Sequence, residues 1–173
     1  MKFEKVSKEQ FLKDLLKVYI STDDWALEEC YENIKLPKRA TSGSAGYDFY
    51  LPTDIKLHPS ETLLIPTGIK MEIDKSKVLE IYPRSSLGFK YRMKFCNTVV
   101  IIDSDYYNNE NNEGHIMIKI ENCGQDTIDL AVGSAFAQGI IKEYFLVDDD
   151  EPREKMRVGG MGSTDAKWQL HYR

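Results

Sequence analysis

The spacing of hydrophobic positions along this chain changes near residue 40. Before it, apolar residues recur at helical spacing. Phe11, Leu12, Leu15, Leu16 and Tyr19 follow Ser7-Lys-Glu-Gln10, a capping-box pattern that predicts a helix start. Trp25, Leu27, Cys30, Tyr31 and Ile34 follow Ser21-Thr-Asp-Asp24, and Leu36-Pro37 closes that second helix. Such stripes are packing faces that dock on a core or on a partner subunit. From Ala40 onward the apolar residues come in runs of strand length: YDFYL, ETLLIP, GIKMEI, KVLEIYP, NTVVII, HIMIKI, TIDLAV and FAQGIIKEYFLV. Pro, Gly, Asn and Asp separate them at short intervals, which predicts an all-β antiparallel sandwich, barrel or jelly roll. Strands do not alternate with long helices, so a parallel doubly wound sheet is set aside. The expected organisation is one domain, with a helical N-terminal extension over 1–36, a β core over 37–147, and a linker and C-terminal arm over 148–173. The charged run from Asp148 to Lys155 precedes the Gly-rich VGGMGSTD, which reads either as a mobile end or as an arm that closes over a ligand.

Composition adds limits. A chain of 173 residues with 42% hydrophobic and 29% charged residues has enough apolar material for one sizeable core. A net charge of -5 argues against a general nucleic-acid backbone binder, while leaving room for a small anion in a local basic pocket. Three cysteines, Cys30, Cys96 and Cys123, far apart and without a CxxC pair, fit free thiols in a reducing cytoplasm. The three histidines form no ligand-spaced cluster. Lys13, Asp14 and Lys17 interrupt the N-terminal apolar residues, so no membrane span is expected there.

Five segments carry candidate chemistry. SAGYDFY places Asp48 between aromatics after a Gly that allows close backbone approach. YPRSSLGFK puts Arg84, Ser85 and Ser86 just after a strand, where a helix start would aim hydroxyls and N–H groups at one anion, or where the serines simply cap a turn. NTVVIIDSDYY runs an apolar strand into Asp103 and Tyr106, a polar turn in its plainest reading. FAQGI sets Gln138 inside an apolar strand, where its amide needs partners. RVGGMGST offers backbone N–H groups, two hydroxyls and an arginine to phosphate oxygens.

Singly each segment has a bland explanation. In this order, AGYD, PRSSLG, NTVVIIDSDYY, AFAQGI and VGGMGST resemble the five ordered motifs of the trimeric dUTP diphosphatases (dUTPases), over roughly Ala40 to Asp165. The resemblance implies a dUTPase-like jelly-roll (β-clip) subunit, a homotrimer with active sites at subunit interfaces, and Mg2+-dependent hydrolysis of dUTP to dUMP and pyrophosphate. It implies that Asp103 orients and deprotonates a water for attack on the α-phosphorus. Asn97, with nearby backbone, would pair with the uracil edge, Tyr106 would lie under the deoxyribose and exclude a ribose 2′-OH, Met117 would face the nucleoside, and Ile102 would belong to the same substrate-binding set. Arg84, Ser85 and Ser86 would hold the phosphate chain, Gln138 would sit near the α-phosphate, and Asp48 would support that region indirectly. Arg157, Met161, Ser163 and Thr164 would belong to an arm closing from a neighbouring chain. No direct protein ligand to the metal is implied, since Mg2+ is held mainly by triphosphate and water.

The chain departs from the family pattern in several places. Val100 stands where many members have Gly, Met161 where the arm often has an aromatic, and Ala135 where an Arg often precedes the Ala-Gln motif. Arg157 lies one residue closer to the Gly pair than in many members. About six residues, Tyr107 to Asn112, are inserted before Gly114 and predict a longer hairpin loop. The related dCTP deaminases share the fold and a PRSS-type segment, but they use a glutamate where this chain has Lys119 and a phenylalanine where it has Tyr106. A catalytically silent jelly roll that only binds nucleotide is the alternative from another class.

Overall fold

The computed structural model describes residues 1–18 and 24–151. Tyr19, residues 21–23 at the predicted start of the second helix, and the whole Gly-rich arm lie outside the described residues.

The chain begins with a strand that the helical pattern of the first 36 residues hides. β1 (Lys2–Lys5) is followed by α1 (Lys8–Leu15) and α2 (Asp24–Glu32). Ser7 caps α1 as the pattern predicts, its Oγ accepting the Gln10 N–H at 3.1 Å. Phe11 and Leu15 go fully inward, and Val6, Leu27 and Ile34 join them in the single hydrophobic core. Removing a phenylalanine ring from water stabilises by about 1.5–3 kcal/mol, so these helices are fastened to the β core by its own apolar interior.

The strands that follow are β2 (Lys38–Arg39), β3 (Tyr47–Tyr50), β4 (Ile55–Leu57), β5 (Thr62–Pro66), β6 (Ile69–Glu72) and β7 (Lys77–Pro83). A short helix, α3 (Ser85–Tyr91), leads to β8 (Met93–Phe95), β9 (Val100–Ile102), β10 (Met117–Asn122), β11 (Ile128–Leu130) and β12 (Ala135–Glu143). All described pairings are antiparallel. They form a five-stranded sheet in the order β2-β3-β12-β7-β9, a three-stranded sheet β5-β10-β8, and the pairs β1-β6 and β4-β11. This is the all-β antiparallel architecture the short apolar runs predict.

Alternation along the strands explains the burial. On β7, Leu79 and Ile81 are fully buried, while Val78, Glu80 and Tyr82 stand on the opposite, partly exposed face. Ile118 and Ile120 alternate with Met117, Lys119 and Glu121 on β10 in the same way. Glycine is required by both conformation and space at the turn from β5 to β6. Gly68, between β5 and β6, has φ +73, and a Cβ there would come within 2.3 Å of the Ile34 side chain. Among the described residues no helix is long and apolar enough to cross a membrane.

Candidate active site

β7 ends at Pro83, and the next residue, Arg84, is the extended N-cap of α3. The helix therefore starts at Ser85, and the serines occupy its first positions instead of capping it. Two features hold this corner. The β7–β12 pairing, which sets Ala137 opposite Pro83, continues one residue further, where the Phe136 carbonyl accepts the Arg84 N–H at 3.2 Å. The Arg84 guanidinium lies 3.5 Å from the Asp48 carboxylate, which is largely buried on β3.

Gln138 completes this corner. On β12 it stands opposite Asp48 on one side and opposite Tyr82 on the other. Directly opposed residues of antiparallel strands project from the same face, so Asp48, Gln138 and Tyr82 form a row across three strands. Gly46 allows the chain to pass close by, since a Cβ there would lie 3.2 Å from Gln138 Oε1. Asp48, Arg84, Ser85, Ser86 and Gln138 are thus brought together at one end of the five-stranded sheet. The corner offers a cation, hydroxyls, an amide and the first N–H groups of a helix, a donor set suited to phosphate oxygens.

The second group of predicted residues sits around β9. Asn97 and Val99 close a tight turn, with the Val99 N–H bonded to the Asn97 carbonyl at 2.7 Å and Thr98 at φ +67 between them. A β-branched residue in that region is strained, which marks the loop as one held in place by its surroundings. Val100 and Ile102 are buried on β9, Ile101 faces outward, and Asp103 is exposed in extended conformation at the strand's end. A single 3-10 turn, Ser104–Tyr106, follows. Tyr106 is buried, and its hydroxyl donates to the His115 carbonyl at 2.8 Å and accepts from Asn112 Nδ2 at 2.8 Å. Met117 opens β10, half-buried.

The insert after Tyr106 is a folded turn. Asn109 is buried, and its Nδ2 donates to the Tyr106 carbonyl and to Asn112 Oδ1, while its Oδ1 accepts the Asn111 and Asn112 N–H groups. Gly114 closes the turn at φ +79, where a Cβ would approach the Tyr106 carbonyl to 2.6 Å. Asn109, Asn112 and His115 are site-supporting residues that sequence reasoning missed. An Asn-rich turn signals its own local bonds, but nothing local says that they converge on Tyr106.

Register shows what a single chain does not bring together. On β7, Leu79 faces Ile102 and Ile81 faces Val100. β9 therefore runs toward the start of β7, and Asp103 continues past it, level with Val78. Arg84 lies beyond the other end of the same strand. Six residues of strand separate the two levels, roughly 20 Å at ~3.3 Å per residue. Asp103 and Arg84 are thus set apart along the strand within this chain. Arg157, Met161, Ser163 and Thr164 lie outside the described residues.

Much apolar surface is left open in the single chain. Phe89 on α3 is 90% exposed and Phe145, just past β12, is 91% exposed, with Leu146 and Val147 beside it. Among the described residues, no group of three or more His, Cys, Asp and Glu could hold a metal ion by itself.

Comparison with known proteins yields a consistent picture. A family model described as dUTPase matches residues 32–165. The deoxyuridine 5′-triphosphate nucleotidohydrolase of Lactococcus lactis is 40% identical over 139 residues, 79% of this chain and 93% of that protein. The enzyme of the same name from Escherichia coli is 38% identical over 137 residues, 75% of this chain and 86% of that protein. Among solved structures, the dUTPase from Streptococcus mutans superposes with a TM-score of 0.65 at 33% identity, covering 86% of this chain and 99% of that one.

Proposed function

The chain belongs to the dUTPase family and is a dUTP diphosphatase, and from that premise we propose that its active sites are assembled between the subunits of a homotrimer. The observation that carries this reading is the placement of Asp103 and Arg84 at opposite ends of β7. The base end of one subunit has to meet the phosphate end of another. The exposed Phe89 and the apolar run Phe145 to Val147 support it, since such surface is suited to burial against a partner.

In the proposed mechanism, Asp103 accepts a proton from a water whose oxygen attacks the α-phosphorus. The new bond to phosphorus forms in line with the breaking bond to the bridging oxygen, and pyrophosphate leaves with that electron pair, giving dUMP. A positioned general base contributes roughly 10²–10⁴ in rate. Arg84 spreads the developing charge through its guanidinium, whose orientation is fixed by Asp48. The Ser85 and Ser86 hydroxyls and N–H groups, together with the Gln138 amide, hold the phosphate oxygens in a fixed array. None of these groups would ligate Mg2+ directly; held through the triphosphate oxygens and water, the ion would supply charge neutralisation on the leaving pyrophosphate.

The Asn97 loop and the β9 backbone read the uracil edge, where cytosine would present a donor against a donor. Met117 faces the nucleoside, and the Tyr106 ring lies against C2′, leaving no room for a hydroxyl. Arg157, Met161, Ser163 and Thr164, outside the described residues, keep the role the resemblance implies, an arm that would close over the substrate from a neighbouring chain. Hydrolysis at this site would keep uracil out of DNA and supply dUMP for dTMP synthesis in the cytoplasm.

Incubating the purified protein with Mg2+ and each deoxynucleoside triphosphate in turn tests the substrate assignment. Pyrophosphate release is expected from dUTP alone, with dUMP as co-product. Equal release from dCTP, or none from dUTP despite binding, would overturn it.

A further inference from the structure

Residues 1–31 lie before the span matched by the family model, and the insert at Tyr107 to Asn112 is a departure from the family pattern. The structure joins the N-terminal segment to the insert, and to the residues that follow it, at three points. The Tyr107 hydroxyl donates to Glu4 on β1. Glu113, the residue after the insert, accepts both the Ser7 N–H (2.9 Å) and the Ser7 hydroxyl (2.5 Å), so the capping residue of α1 is itself held from that loop. Asp14, on the inner face of α1, pairs at 2.8 Å with Nδ1 of His115, which is fully buried.

The third contact reaches the nucleoside side of the site. The Gly68 N–H donates to His115 Nε2 at 2.8 Å, so the ring proton sits on Nδ1 and points at Asp14. Gln10 and Lys17 bind the same carboxylate at 2.7 and 2.8 Å. Both edges of the imidazole are thereby fixed, and with them the backbone of residue 115. The carbonyl of that residue accepts the Tyr106 hydroxyl, and Asn112 bridges the two by donating to both. The chain of contacts runs Asp14, His115, Tyr106 without a gap.

We propose that the N-terminal segment is a positioning element for the nucleoside pocket: Asp14 and His115 set the height of the Tyr106 ring, and through it the discrimination between deoxyribose and ribose. This rests on the reading that Tyr106 lies against C2′. A ring excludes a hydroxyl only where it cannot retreat, and the hydroxyl end of Tyr106 is anchored to a backbone that α1 holds. Misplacement of about 1 Å can cost on the order of a hundredfold in a positioned reaction. Here the cost would fall on selectivity more than on chemistry, since Tyr106 touches the sugar and not the phosphorus.

The test compares kcat/KM for dUTP with that for UTP in the wild-type protein and in Asp14→Leu, Glu113→Ala and Tyr106→Ala. The ratio is read within one preparation, so loss of folded protein lowers both rates and leaves it unchanged. Asp14→Leu is expected to lower the dUTP/UTP ratio about tenfold or more, mainly through a rise in kcat/KM for UTP, while kcat for dUTP stays within about threefold. Glu113→Ala, which loosens the same joint from the surface without opening a buried site, keeps the test alive if Asp14→Leu does not fold, with an expected fall of about two- to fivefold. Asp14→Asn, which retains an acceptor for His115 Nδ1, should restore most of the ratio. A ratio unchanged in both Asp14→Leu and Glu113→Ala while Tyr106→Ala lowers it would overturn the positioning role alone. A ratio unchanged in Tyr106→Ala would overturn the assignment of Tyr106 and this inference with it.

Discussion

Asp14 and His115, 101 positions apart in sequence, share a 2.8 Å hydrogen bond in the interior of the protein. Burial opposes the charge on Asp14, but the bonds from His115, Lys17 and Gln10 outweigh it and hold the carboxyl below its ordinary value of 3.8. Glu113 is treated the same way, with partial burial opposed and overcome by Ser7 and Lys70.

The pH dependence of stability follows from those directions. A carboxylate whose folded-state pKa is depressed binds fewer protons when folded, so stability rises with pH across its window. The contribution of Asp14 is complete above 3.8 and is lost progressively as pH falls below that value. Urea unfolding midpoints taken between pH 3 and 7 should therefore fall more steeply at the acid end in the wild-type protein than in Asp14→Asn. Parallel curves would show that the network carries no net charge preference.

Asp103→Asn keeps the shape of the side chain and removes the proton acceptor. Turnover of dUTP should drop by about 10²–10⁴ or more while calorimetric dUTP binding stays within a few fold. Unchanged turnover would remove Asp103 from the role of base.

Mixing variants reads the subunit arrangement directly. Asp103→Asn and Arg84→Ala chains are each expected to be nearly inactive alone. Refolded together, half of the base ends and half of the phosphate ends are intact, so about a quarter of shared sites should be whole. No recovery on mixing would mean that both halves act within one chain.

Gly114→Ala places a Cβ 2.6 Å from the Tyr106 carbonyl at a φ of +79. The expected cost is about 1–3 kcal/mol in thermal or urea unfolding, with weakened nucleotide binding because the displaced atoms belong to Tyr106 and Tyr107. A variant as stable as the parent would mean that the turn has another accessible form.

Legibility in the sequence followed the length of each signal. KVLEIYP is a strand residue for residue, because seven positions of alternation leave no ambiguity. NTVVII predicts a strand over six residues, yet only Val100–Ile102 form one, since Thr98 turns the backbone through positive φ. β1 escaped notice because its single apolar residue, Phe3, lies among charges that pair across to β6. The three-residue strands IKL and MKF are too short to carry a period. At the candidate site, the motifs named Asp48, Arg84 and Gln138, and register set them side by side. The Asp14–His115 pair had no local signature: Asp14 reads as part of a polar helix face, and only the fold turns that face inward.

The seven residues of β7 have a consequence beyond geometry. Because the strand keeps its two functional ends too far apart to meet, specific activity should depend on how much of the protein is present. Diluted below the concentration at which subunits associate, the chains would hold every required group and still be inert. On the proposed shared-site arrangement, output in a cell would rise more steeply than gene dosage at low expression. A defective allele would then also influence its neighbours, since each damaged chain would spoil a site that an intact chain has half built.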